Sequence, residues 1–201
     1  MSDLRVHKTK YINETKRVSF KYDGKNYFGY EGDTLASALL ANGVHLIGRS
    51  FKYHRPRGIM SCGSEEPNAI CQISDKNDLT EPNVRATELE IYDGLEAFSQ
   101  NCWPNVKFDI GGINNLISPL IPAGFYYKTF MWPKSFWKKV YEPLIRMSAG
   151  LGKSPTEPDP DIYDHKYVHY DVLVIGGGLS GIISAKILSL IHISEPTRLQ
   201  D

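Results

Sequence analysis

Val18-Ser-Phe-Lys-Tyr22 alternates apolar and polar side chains, Asp23-Gly24 supplies turn residues, and Tyr27-Phe-Gly-Tyr30 runs back with the same period. That pattern predicts a β-hairpin with one buried face. Leu35, Ala38 and Leu39 then recur at helical spacing, with Asp33 or Thr34 as N-cap and Gly43 placed to end the helix in the left-handed conformation. Further short strands are predicted around Ala69–Ile73 and Val84–Leu89. One sheet face sheltered by one helix is the logic of a β-grasp domain, expected over residues 17–100 behind a flexible arm at 1–16.

The pattern changes after residue 100. Residues 101–153 are aromatic and Pro-rich, with Trp103, Phe125, Tyr126, Tyr127, Phe130, Trp132, Phe136 and Trp137. Lys134–Met147 places Trp137, Val140, Tyr141 and Leu144 on one side of a helix that Pro143 should kink, because proline lacks the N–H its turn requires. The segment reads either as a strap packed against another surface or as ordinary core. Residues 154–169 begin Ser154-Pro-Thr-Glu-Pro-Asp-Pro-Asp161, an acidic, extended linker. Asp164, His165 and His169 follow without the cysteines or second acid cluster that a tetrahedral metal site would need, so no metal ligands are assigned.

Tyr170-Asp-Val-Leu-Val-Ile-Gly-Gly-Gly-Leu-Ser-Gly181 carries the most specific chemistry. Val172–Ile175 reads as a strand buried on both faces, followed by a Gly-x-Gly-x-x-Gly turn and a helix from Leu179 to about Leu188. Gly176 would allow the tight turn, Gly178 would let backbone approach a pyrophosphate, and Gly181 would let helix lie close on strand. The helix N-terminus would face the anion. These three glycines are the cofactor-binding candidates, and 170–187 is read as the first βα unit of a truncated Rossmann-type α/β domain. The motif alone does not separate NAD from FAD. No second strand with an acid for the ribose follows; Glu195 comes too early. Residues 188–201 resemble the in-frame translation of a transposase adapter and are read as a non-native tail, the protein continuing beyond it.

Composition narrows the classes. Lys and Arg balance Asp and Glu at zero net charge, which argues against a nucleic-acid partner. No apolar run approaches the ~18 residues that point to a membrane span. Cys62, Cys71 and Cys102 are odd in number and scattered, fitting a reducing cytoplasm. The histidines are scattered and Ser180 sits in the glycine turn, so no catalytic residue is assigned.

Gly48-Arg-Ser-Phe-Lys-Tyr-His-Arg-Pro-Arg-Gly58 and Gly63-Ser-Glu-Glu-Pro-Asn-Ala69 form a distinctive constellation. With Asp33–Gly43, Asn83–Thr87, Ser99–Asn101, Ala123–Pro133 and Ala149–Gly152, it resembles the N-terminal region of the α subunits of heterotetrameric sarcosine oxidases, over about residues 17–187. The resemblance implies a [2Fe-2S] ferredoxin-like domain, then a flavoprotein fold with two dinucleotide-binding domains. It implies oxidative demethylation of sarcosine to glycine with tetrahydrofolate and O2, by a complex of α, β, γ and δ subunits. That complex would hold FMN and FAD, with NAD on the α subunit at Gly176, Gly178 and Gly181. A [2Fe-2S] cluster needs four ligands; three cysteines at this spacing lead to the expectation that no iron–sulfur cluster is bound. Related plans, in opine oxidase, hydrogen cyanide synthase or proline dehydrogenase, remain open, as does a non-catalytic β-grasp interaction module. The basic cluster Arg49, Lys52, His54, Arg55 and Arg57 would serve an interface, pairing for example with Glu65 and Glu66, or lie near a cofactor.

Overall fold

The computed structural model describes residues 4–5, 10–74, 80–116, 118–120, 124, 132–152, 154–156, 158 and 162–192. The chain divides into two units, residues 1–158 and 159–201.

The first unit is a mixed α+β structure. Strands β1 (Asn13–Tyr22) and β2 (Lys25–Glu31) form the expected hairpin, Phe20 opposite Tyr27. Asp23 and Gly24 between them both have positive φ (48° and 73°), the twist a two-residue hairpin turn requires. Helix α1 (Leu35–Ala41) is capped by Thr34, whose hydroxyl accepts from the Ser37 N–H at 3.2 Å, and Gly43 follows it at φ 75°. A short ribbon, β3 (Gly48–Arg49) against β4 (Pro56–Arg57), leads into β5 (Ile70–Ser74), β6 (Thr80–Arg85) and β7 (Leu95–Ser99). The main sheet runs β2-β1-β7-β5-β6, with β7 parallel to β1 and the other neighbours antiparallel. Helix α1 packs on one face of this sheet, which is the β-grasp arrangement.

Val18, Phe20 and Tyr22 point inward from β1 and meet Leu35, Ala38 and Leu39 of α1, with Ile47, Cys71 and Leu95 completing the core. Gly29 belongs to this packing: a Cβ there would stand 2.4 Å from Ile91 Cδ1 and 3.1 Å from Ala38 Cβ.

Several expectations are corrected. β1 begins at Asn13, inside the expected arm, and Leu4 and Arg5 are docked: the Leu4 N–H donates to Ala41 O at 3.0 Å and Arg5 grips Asp33. The Val84–Leu89 strand stops at Arg85, where a turn begins. β7 was not anticipated. In the connecting segment, Lys134–Ser148 changes pitch twice, from a 3-10 turn (Lys134–Phe136) through wider π-type turns (Trp137–Tyr141) to helix α2 (Glu142–Ser148). Pro143 lies inside this continuous helical run, directly after the wider turns, which make room for its ring and missing N–H. Phe125, Tyr126, Tyr127 and Phe130 lie outside the described residues.

The second unit holds helix α3 (Leu179–His192), four residues longer than expected. Val172–Ile175 is not a strand; Val172, Leu173 and Ile175 are 56%, 67% and 87% exposed. An apolar strand forms only against ladder partners, and the 162–178 segment offers none.

Candidate functional site

The basic motif is the β3–β4 ribbon and its tip. Arg49 spends its guanidinium on backbone: Nε donates to Val106 O (2.8 Å), Nη2 to Lys107 O (3.0 Å) and Nη1 to His54 O (3.2 Å). His54 is held in the left-handed region (φ 52°), with Nδ1 2.6 Å from Asp109 Oδ2. Asp109 Oδ1 in turn accepts from the Trp103 and Gly111 N–H groups. The Arg55 guanidinium donates to Asn115 Oδ1 at 3.0 Å and lies over the Tyr53 ring. The motif therefore clamps residues 103–115 of its own chain.

Among the described residues no ion pair joins Arg49, His54, Arg55 or Arg57 to Glu65 or Glu66. Glu66 is buried and accepts four backbone N–H groups, from Met60 and Ser61 at Oε2 and from Asn68 and Ala69 at Oε1. Burial pushes its pKa up, but these four bonds together outweigh burial and hold the carboxyl below the usual range. Asp33 follows the same rule: burial opposes its charge, yet Arg5, the Ser37 hydroxyl and the Tyr30 N–H lower its pKa. These two loop-organising acids were legible only as candidate caps or ion pairs.

Five of the motifs behind the family resemblance converge in space. Gly48 and Phe51 of the basic motif, with Asn68, Asn83, Asn101 and Gly150 from four others, line a cavity of about 230 Å³. Gln100 ties its walls together, accepting from the Asn83 N–H (3.0 Å) and donating to Asn83 Oδ1 (3.2 Å). Asn83 and Asn101 are both left-handed (φ 63° and 55°), a strain asparagine tolerates better than most residues. The lining offers amides, guanidinium and apolar carbon, but no nucleophile with a neighbouring base.

The three thiols are free. Cys62 is exposed; Cys71 is buried in the core, where burial pushes its thiol up to about 12; Cys102 lies 3.3 Å from the Ser99 hydroxyl. They are not gathered as ligands: among the described residues no three His, Cys, Asp or Glu side chains form a metal-binding group.

In the second unit, Gly176, Gly177 and Gly178 have open space where a Cβ would stand, and Gly176 has φ 105°. Gly181 is the constrained one: a Cβ there would fall 2.0 Å from the Gly176 carbonyl oxygen. Helix and turn thus lie close together at the N-terminus of α3, where the expected approach was of helix on strand. The supporting strand is missing, as described above. Among the described residues no helix is long and apolar enough to cross a membrane.

Residues 15–102 match the family described as 2Fe-2S iron-sulfur cluster binding domain. This overturns the expectation, drawn from cysteine spacing, that no iron–sulfur cluster is bound: residues 15–102 are similar to an iron–sulfur cluster-binding domain family. The sarcosine oxidase subunit alpha of Rhizobium meliloti (strain 1021) is 55% identical over 185 residues, covering 92% of this chain and 19% of that protein. The protein of the same name from Corynebacterium sp. (strain U-96) is 30% identical over 177 residues, 87% of this chain and 13% of that one. The chain therefore spans less than a fifth of the length of these relatives. Among solved structures, L-proline dehydrogenase from P. horikoshii overlays 47% of this chain and 17% of its own at 23% identity, with a TM-score of 0.35.

Proposed function

We propose that this chain, a homologue of sarcosine oxidase α subunits over 92% of its length, serves as the N-terminal region of the α-type subunit of a sarcosine oxidase-like flavoenzyme. The complete enzyme oxidatively demethylates sarcosine to glycine, with tetrahydrofolate and O2 as co-substrates. This region contributes subunit assembly and dinucleotide binding, not the reacting groups, and its partners are β, γ and δ subunits in a cytoplasmic heterotetramer. The 55% identity to the Rhizobium meliloti subunit is the observation that carries the reading. One structural feature supports it: five of the motifs that carry the likeness meet around one cavity.

Dinucleotide binding is assigned to Gly176, Gly178 and Gly181. The open space over Gly178 and the close contact between Gly181 and the Gly176 carbonyl suit a pyrophosphate held by backbone N–H groups. In the complete protein the first βα unit would find its ladder partners in the residues that follow, and 170–187 would close into a Rossmann-type sheet. Residues 101–153 act as a strap toward that larger assembly.

The decisive experiment is co-expression of the complete reading frame with the neighbouring subunit genes, followed by an assay for sarcosine-dependent peroxide. A stable heteromeric complex that forms peroxide from sarcosine is the expected result. A full-length chain that associates with no such subunits, and yields no amine-dependent peroxide, overturns the proposal.

A further inference from the structure

The segment clamped by the basic ribbon ends in a 3-10 helix, Ile110–Asn115. Such a helix has three residues per turn, so positions three apart eclipse and each face is a single file of side chains. One file is docked. Gly111 lies against the His54 ring, where a Cβ would stand 2.3 Å from Nδ1, and the Asn114 side-chain amide donates to Lys52 O at 3.3 Å. A second file is Ile110, Ile113 and the C-cap residue Leu116, which are 42%, 57% and 80% exposed. Trp103 adjoins them, its carbonyl accepting from the Ile110 N–H at 2.9 Å, and is 68% exposed.

Three isolated apolar side chains on a surface need no explanation, but an eclipsed file does. This one is immobilised from behind by Arg49, His54–Asp109 and Arg55–Asn115. A partner would therefore meet an ordered surface and lose little entropy on docking. The exposed charges of the ribbon and of the 103–116 segment have one sign. Arg55 and Lys107 are exposed and Lys52 is half-buried, whereas Asp109, the acid of the 103–116 segment, has its side chain buried and both oxygens engaged. A second copy of this chain would bring the same cations face to face.

We infer that the Ile110–Ile113–Leu116 file is a protein-docking surface, and that its occupant is a different polypeptide presenting an apolar groove rimmed by carboxylates. The inference rests on the assembly reading above and identifies the surface of this domain that a partner subunit covers. Basic residues at the rim steer and register the encounter, while the apolar file supplies the buried centre.

The test uses the complete, tagged α-type chain co-expressed with its partner subunits, comparing wild type with Ile113→Lys and Arg55→Glu. Partner recovery at low and raised salt is measured by affinity capture, and hydrogen exchange of residues 110–116 is measured in free and assembled wild-type chain. The expected result is at least a tenfold loss of partner recovery for Ile113→Lys at unchanged melting temperature. Arg55→Glu should lose recovery most at low salt, and amides 110–116 should be slowed on assembly. Undiminished recovery by both variants, or unchanged exchange at 110–116, overturns the docking surface and leaves the assembly reading standing. If wild type itself captures no subunit, the assembly reading falls and the inference with it. A homodimer of the free chain that Ile113→Lys dissolves overturns the assignment of a different polypeptide.

Discussion

Replacing Glu66 with glutamine should cost the β-grasp domain a large part of its stability without altering its shape. The carboxylate is 1% exposed and accepts from the Met60 N–H (2.7 Å), the Ser61 N–H (2.6 Å) and the Ser61 hydroxyl (3.3 Å) at Oε2. At Oε1 it accepts from the Asn68 N–H (2.8 Å) and the Ala69 N–H (3.2 Å). Glutamine is isosteric, but one of its two terminal atoms is a donor. Whichever way the amide turns, its NH2 faces two backbone N–H groups that then have no acceptor. At about 1–3 kcal/mol for each buried donor left unpaired, the expected loss is about 2–6 kcal/mol. Set against a total of about 5–15 kcal/mol, that is severe. For a domain of this size it corresponds to a melting temperature lower by roughly 10 °C or more. Thermal unfolding of Glu66→Gln followed by circular dichroism measures it. The pH dependence supplies a second signature. Because the folded-state pKa of Glu66 is depressed, its contribution is fully present above the unfolded value near ~4.3 and is lost as pH falls through the folded value. The gap between wild type and Glu66→Gln should therefore be widest at neutral pH and narrow below about pH 4. A variant melting within ~2 °C of wild type at pH 7 would refute the reasoning, since that is less than 1 kcal/mol.

Arg49→Met removes the donors to Val106, Lys107 and His54. Amide exchange across 103–116 should accelerate at least tenfold while the β1, β5 and β7 amides keep their protection; uniform acceleration would show that Arg49 supports the whole domain. Cys62, exposed, should be labelled by an aromatic disulfide reagent at pH 8, whereas Cys71, buried with its thiol pushed up to about 12, should react only on unfolding. Prompt titration of Cys71 in the folded chain would contradict its placement. Gly181→Val in the complete subunit puts carbon where the Gly176 carbonyl stands, and should weaken dinucleotide binding at least tenfold by calorimetry; unaltered affinity would remove the glycine turn from the site.

What could be read along the chain was what neighbouring residues decide among themselves. The hairpin needs only the alternation Val18, Phe20, Tyr22 and a turn that accepts positive φ at Asp23 and Gly24. Helix α1 needs only Thr34, an apolar face and Gly43. β7 depends on distant chain: Leu95 pairs beside Phe20 and Ala97 beside Ile73, and its largest aromatic, Phe98, faces outward. A strand whose buried residues are a leucine and an alanine has no audible period. Val172–Ile175 fails in the opposite sense, having the composition of a buried strand but no ladder to join. Cysteine spacing misled for a related reason, since it tests one ligand pattern, while the likeness to an iron–sulfur family is carried by 15–102 as a whole.

Charged residues were the hardest to read, because their partners here are backbone. Asp33 reads as a cap and Arg49 and Glu66 as members of ion pairs, yet these three and Asp109 each bind the main chain of a loop, with Arg5 added at Asp33 and His54 at Asp109. A buried charge is tolerated only when its bonds are saturated, and main-chain N–H and C=O groups saturate it with little side-chain freedom lost. The consequence is mechanical. Loop 60–69 is fixed by one carboxylate, and segment 103–116 by the Arg49 guanidinium, the His54–Asp109 pair and the Arg55–Asn115 bond, so two irregular stretches are held by a few buried or half-buried polar groups. A loop intended to close over substrate would gain nothing from such anchoring. A surface that must meet another protein in one geometry does gain, and the anchored stretch is the one that carries Ile110, Ile113 and Leu116 outward.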